Sequence, residues 1–149
     1  MAYINNMDVY ERAIRLLAIR EHSRFELEKK LKDKGYERLE IDEALDRLSK
    51  EGYLSDIRFS SSYIRSRLRK NPEGRSVLIL RLKEKGVSSE IANEALDEVW
   101  NEGLYWEPLK KAYSRLESKK GKDYAIISLR RKGFSLSEIR SACGEFESE

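Results

Sequence analysis

The run YIRSRLRK, Tyr63 to Lys70, places four cations in eight residues with no acid among them. Arginine forks bind carboxylates and phosphates in a planar, two-pronged geometry, so such a run is equipped to hold an anionic partner. On a helix from Asp56 to Lys70, the 100° step puts Ile57, Ile64 and Leu68 on one side. Arg58, Arg65 and Arg69 then share a second stripe, about 40° wide and about 16 Å long at 1.5 Å per residue. Arg67 falls on a third side with Phe59 and Tyr63, and Lys70 closes the run. The expectation is a row of free guanidinium groups that follows phosphates of a nucleic acid or carboxylates of a protein. The competing account is a solvated helix face whose arginines pair with acids of a neighbouring helix. Arg75 lies just beyond, and Lys119, Lys120 and Lys122 form a second basic group that Arg130, Arg131 and Lys132 extend. Cations also suit the last turn of a helix, which accounts for those final three residues without a partner.

Other chemistry has little support. KKGKDY contains a Gly-Lys pair but lacks the earlier glycine and the following Ser/Thr of a phosphate loop. The acids Asp42, Glu43, Asp46, Glu90, Glu94 and Asp97 are spaced as outer faces of helices, with no histidine near them in sequence. One cysteine and one histidine leave no zinc cluster and no internal disulfide. Cys143 takes the apolar place that Leu45 and Leu96 hold elsewhere and is expected to be buried, while His22 is expected at an exposed helix boundary. No catalytic residue, metal or cofactor is assigned. No apolar run reaches the ~20 residues of a membrane span, and the N-terminus lacks the pattern of a secretion signal, so a cytoplasmic location is expected, and the chain is read as a monomer.

The elements that position these cations follow from internal similarity. Leu31, Lys34, Gly35, Ala44 and Gly52 recur 51 residues later as Leu82, Lys85, Gly86, Ala95 and Gly103. A third copy follows 47 residues after the second, with Leu129, Lys132, Gly133 and Ala142. Apolar residues at three- and four-residue spacing, such as Ile41, Leu45 and Leu48, make each segment helical. Glycine after a basic last turn ends a helix, and Ser23 with Glu26 and Ser135 with Glu138 begin one as capping boxes.

A leading helix enters each pair: Asp8 to Arg20 with Tyr10, Ile14 and Leu17 inward, Asp56 to Lys70, and about Pro108 to Ser118. The reading is all-α, an elongated array of three tandem three-helix repeats over 1–54, 55–105 and 106–149. Tyr36, Tyr53 and Phe134 directly follow helix-ending glycines and read as core or hinge, whereas Tyr105 and Trp106 at the second seam are open to a contact role.

The chain has 149 residues, 38% of them charged, and the net +3 hides blocks of opposite sign. Arg58 to Lys85 carries +7, Gly86 to Glu107 carries −6, and Pro108 to Lys122 carries +5. The stretches HSRFELEKKLKDKG, LDRLSKEGYLSDIRFSSSYIRSRLR and LKEKGVSSEIANEALDEV resemble the RecX family of bacterial regulatory proteins, over roughly Val9 to Tyr105. The third repeat is more diverged, with Lys132-Gly133-Phe134-Ser135 and Ile139 its main family-like features.

The resemblance implies repeats that bind the RecA recombinase, lie in the groove of its filament on single-stranded DNA and inhibit it without catalysis. It thereby points to DNA repair and recombination and the SOS response. Arg24, Arg58, Arg65 and Arg67 match basic motif positions of the family. Two rival readings are a sequence-tolerant DNA-binding protein and a helical adaptor for another acidic protein.

Overall fold

In a computed structural model, residues 7–144 are described, and they form nine helices and no strand. The first repeat holds α1 (Val9–Ile19), α2 (Arg24–Asp33) and α3 (Arg38–Lys50). The second holds α4 (Asp56–Lys70), α5 (Arg75–Glu84) and α6 (Ser89–Asn101), and the third α7 (Trp106–Lys120), α8 (Lys122–Arg131) and α9 (Leu136–Ala142).

The expected helix signals operate locally. Ser23 and Ser135 each make a full capping box, and the Ser55 and Ser88 hydroxyls accept from the amides of Arg58 and Ile91. Burial on α1 falls on Val9 and Ala13, and Tyr10, Ile14 and Leu17 pack only partly against that core. The inward stripe is therefore turned slightly from its expected position.

Each repeat packs its three helices on one another, with α1 and α2 on α3, α4 and α5 on α6, and α7, α8 and α9 mutually in contact. The buried apolar residues divide unequally. Leu27, Leu31, Ile41, Leu45 and Leu48 belong to a core confined to the first repeat, which Leu54 closes. Phe59, Leu82, Leu96, Leu109, Leu129 and Ile139 belong to one core shared by the second and third.

The repeats join through their middle helices by the same device. At the first joint the Ser23 hydroxyl donates to the Lys85 carbonyl at 2.7 Å, so the amide end of α2 meets the carbonyl end of α5. At the second, the Gly74 amide donates to the Lys132 carbonyl at 2.7 Å, and α5 meets α8 likewise. Opposed dipole ends favour both contacts.

Two glycines are required here. Gly86, at φ 81°, lies against the Phe25 side chain, and a Cβ on Gly74 would overlap the Gly133 backbone. The joints thus need bare backbone where one repeat meets the next.

Candidate partner-binding surface

The α4 helix positions most of the candidate cations. Phe59, Ser60, Ser61, Ile64 and Leu68 are buried, a wider arc than the expected stripe, while Ile57 is only half-buried. What remains outside carries the arginines, and the expectation that Arg58, Arg65 and Arg69 are all free needs correction. Arg58 Nε donates to Glu21 at 2.7 Å and its Nη2 to the Tyr53 carbonyl at 3.1 Å. Arg65 Nη2 donates to Glu102 at 2.7 Å. Arg69 and Lys70 are exposed and engage no carboxylate among the described residues.

Each paired acid lies 37 residues from its arginine in sequence, and the fold alone brings them together. With side chains 48% and 38% exposed, Arg58 and Arg65 sit in solvent-screened pairs worth about 0.2–1 kcal/mol. Pairs this weak add little to the stability of the fold.

Arg67 has a different role. Glu73 is 6% exposed and accepts from Arg67 at 3.1 Å and from Arg81 at 2.8 and 2.6 Å. Burial by itself would push the Glu73 carboxyl up, but the hydrogen bond from Arg81 and the charges of both arginines outweigh it and hold the carboxyl below the usual range. The cluster pins the Asn71 to Gly74 turn to α5.

Arg24 and Arg75 are equivalent residues and perform equivalent work inside their own repeats. Arg24 reaches Asp46 at 2.8 Å, and Arg75 reaches Asp97 at 2.5 Å and Asn93 at 2.7 Å. Both clamp the start of a middle helix to the last helix of the repeat. Lys119, Lys120 and Lys122 flank the α7–α8 turn at Gly121, and the Lys120 ammonium lies 5.5 Å from the Tyr124 ring.

The fold assembles one cationic group that spacing did not reveal. Lys132 Nζ donates to Asn71 Oδ1 at 2.6 Å, which sets the end of α8 beside the end of α4. Arg69 and Lys70 thereby share the second seam with Arg131 and Lys132. Two basic helix ends converge there, and their carbonyl dipoles favour the cations without consuming their charge.

His22 also departs from expectation. It is 1% exposed, with Nδ1 3.0 Å from the Arg20 carbonyl and Nε2 2.8 Å from Lys30 Nζ. Burial, and then the cations Arg20 and Lys30, hold its pKa below the ordinary value. Cys143 is buried as expected, and Tyr105 is buried against Trp100 and Phe134, with Trp106 half-buried beside Trp100. The second seam's aromatics are thus largely core. Among the described residues, no three His, Cys, Asp or Glu side chains gather as a metal site, and no helix is long and apolar enough to cross a membrane.

Two family models match the chain: the first three-helix domain of RecX over residues 10–48 and the second over residues 55–96. A regulatory protein RecX of Pelodictyon phaeoclathratiforme is 35% identical over 133 residues, covering 87% of this chain and 83% of the relative. Another of Chlorobium phaeobacteroides is 33% identical over 144 residues, covering 94% of each. The crystal structure of RecX from Lactobacillus salivarius superposes with a TM-score of 0.78 at 25% identity, over 93% of this chain and 94% of that one.

Proposed function

The chain belongs to the RecX family of regulatory proteins, and from that premise we propose that it binds the RecA filament on single-stranded DNA and inhibits recombination and ATP hydrolysis there. The observation that carries this reading is the pair of like joints, Ser23 to Lys85 and Gly74 to Lys132. Units joined in the same way offer related surfaces at regular intervals, and a regular filament is the kind of partner that meets them repeatedly. The seam cations Arg69, Lys70, Arg131 and Lys132 supply the charge for an anionic groove. In this reading the protein acts as a cytoplasmic monomer, with repeat boundaries after Leu54 and Tyr105.

Titrating the protein into a RecA reaction that follows DNA-dependent ATP hydrolysis tests the proposal. Inhibition that saturates is expected, and an unchanged rate at saturating protein removes it. The same seam favours a second reading, direct binding of bare DNA, in which affinity falls steeply with salt as counterions are released. Binding to RecA filaments and to bare single-stranded DNA, compared at two salt concentrations, separates the two. Recovery of a different acidic protein with RecA absent supports the adaptor reading instead.

A further inference from the structure

The middle helices α5 and α8 carry an outward face that the cationic stripe does not explain. Leu80 is 63% exposed and Ile127 is 53% exposed. They are equivalent residues, 47 apart like Gly86 and Gly133. A single exposed leucine is ordinary, but the same exposure at the same place in two repeats is a pattern.

Each lies beside a half-buried partner, Ile79 or Ile126. Helical spacing aligns Ile79 and Leu80 with Lys83 on α5, and Ile126 and Ile127 with Arg130 on α8. Where the two helices meet there is a groove of about 450 Å³, with Ser76, Ile79, Arg130 and Phe134 among its lining residues. Ile79 and Arg130 belong to the groove and to the helix faces, so the surface is continuous across the joint.

The surroundings select the occupant. On α5, Arg75, Arg81 and Lys85 are taken by Asp97, Glu73 and Glu26, which leaves Lys83 beside Leu80, and on α8 Arg130 and Arg131 stand exposed near Ile127 with no carboxylate partner among the described residues. A phosphate backbone would satisfy the charges but gain nothing from Leu80 and Ile127, whereas a protein surface satisfies both. In the first repeat Glu28 and Lys29 stand where Ile79 and Leu80 stand in the second, so that repeat lacks the apolar pair. We infer that the α5–α8 face, centred on Leu80, Ile127 and the groove between them, docks a partner protein through bulky apolar side chains set in an acidic rim.

This inference rests on the reading above in taking the RecA filament as the partner, and it gives the second and third repeats the protein contact. The test uses the full chain carrying Leu80→Asp with Ile127→Asp, and a milder version carrying Leu80→Gln with Ile127→Gln. Binding to RecA filaments should weaken at least tenfold for the Asp pair and less for the Gln pair. Melting temperature and binding to bare single-stranded DNA should stay at wild-type values. If the wild-type protein binds filaments and both pairs bind equally well, this docking face is overturned while the proposed function stands. Equal loss of filament and bare-DNA binding also overturns it. Failure of the wild-type protein to engage filaments at all removes both.

Discussion

Residues 22 and 73 occupy the same place in the first and second repeats and meet the same burial problem with opposite chemistry. His22 is neutral: Lys30 Nζ donates to Nε2, which leaves the proton on Nδ1 to bond the Arg20 carbonyl. Glu73 is charged and is held by Arg81, the equivalent of Lys30, together with Arg67. In the turns before α2 and α5, a buried polar residue is thus anchored to the residue eight positions on, whereas the equivalent Lys120 before α8 is exposed. The charge state of the anchor is adjustable, provided the partner complements it. The surroundings differ as well. The first repeat keeps its own core and meets the second through polar contacts and Phe25 on Gly86, whereas the second and third share one core. The first repeat is accordingly the more separable unit.

The largest effects are expected at the equivalent residues Leu31 and Leu82, both fully buried. Leu31→Ala and Leu82→Ala should each cost about 2–5 kcal/mol. Hydrogen exchange should then show protection lost only across the first repeat for Leu31→Ala, and across the second and third together for Leu82→Ala. Uniform loss in both variants would mean that the molecule melts as one unit. Gly74→Ala comes next, at about 1–3 kcal/mol from overpacking against the Gly133 backbone. Its effect on melting should concentrate in the second and third repeats.

Acid should then separate the two anchors. The folded pKa of His22 lies below the ordinary 6.5, so the unfolded chain takes up the proton more readily. The stability from His22 is complete above about pH 6.5 and is lost as pH falls toward the folded value. Glu73 also has a lowered pKa, but its reference value is 4.5, and its contribution is lost only as pH falls below that. Between pH 7 and 5, exchange in the first repeat should rise while the Glu73 cluster stays protected. His22→Gln should flatten that response, since an amide can accept from Lys30 and donate to Arg20 at any pH. The smallest expected effect belongs to Arg58→Gln and Arg65→Gln, each about 0.2–1 kcal/mol in urea melts. A larger loss would make those pairs structural.

Much of the local structure was legible in the residues themselves. The capping boxes at Ser23 and Ser135, the glycine stops at Gly35, Gly86 and Gly133, and the burial of Leu27, Leu31 and Leu45 all follow from short-range spacing. The same spacing placed Arg69 on the exposed side of α4. It failed where the partner lay far along the chain: Glu21 for Arg58, Glu102 for Arg65, and Asn71 for Lys132. His22 was misplaced because its burial depends on the packing of a turn, which carries no periodic signal. Leu80 and Ile127 carry no distinguishing signal in the sequence, because an apolar residue on an amphipathic helix reads as core until the packing turns it outward.

The residues alone fixed the helical character of the described chain and most of its caps and stops, because capping, helical period and glycine's access to positive φ act over a few residues. Tertiary structure alone decided which cations are neutralised, how the cores divide and which apolar side chains face water. Those outcomes depend on how whole repeats meet, and that geometry arises only when the carbonyl end of one middle helix reaches the amide end of another.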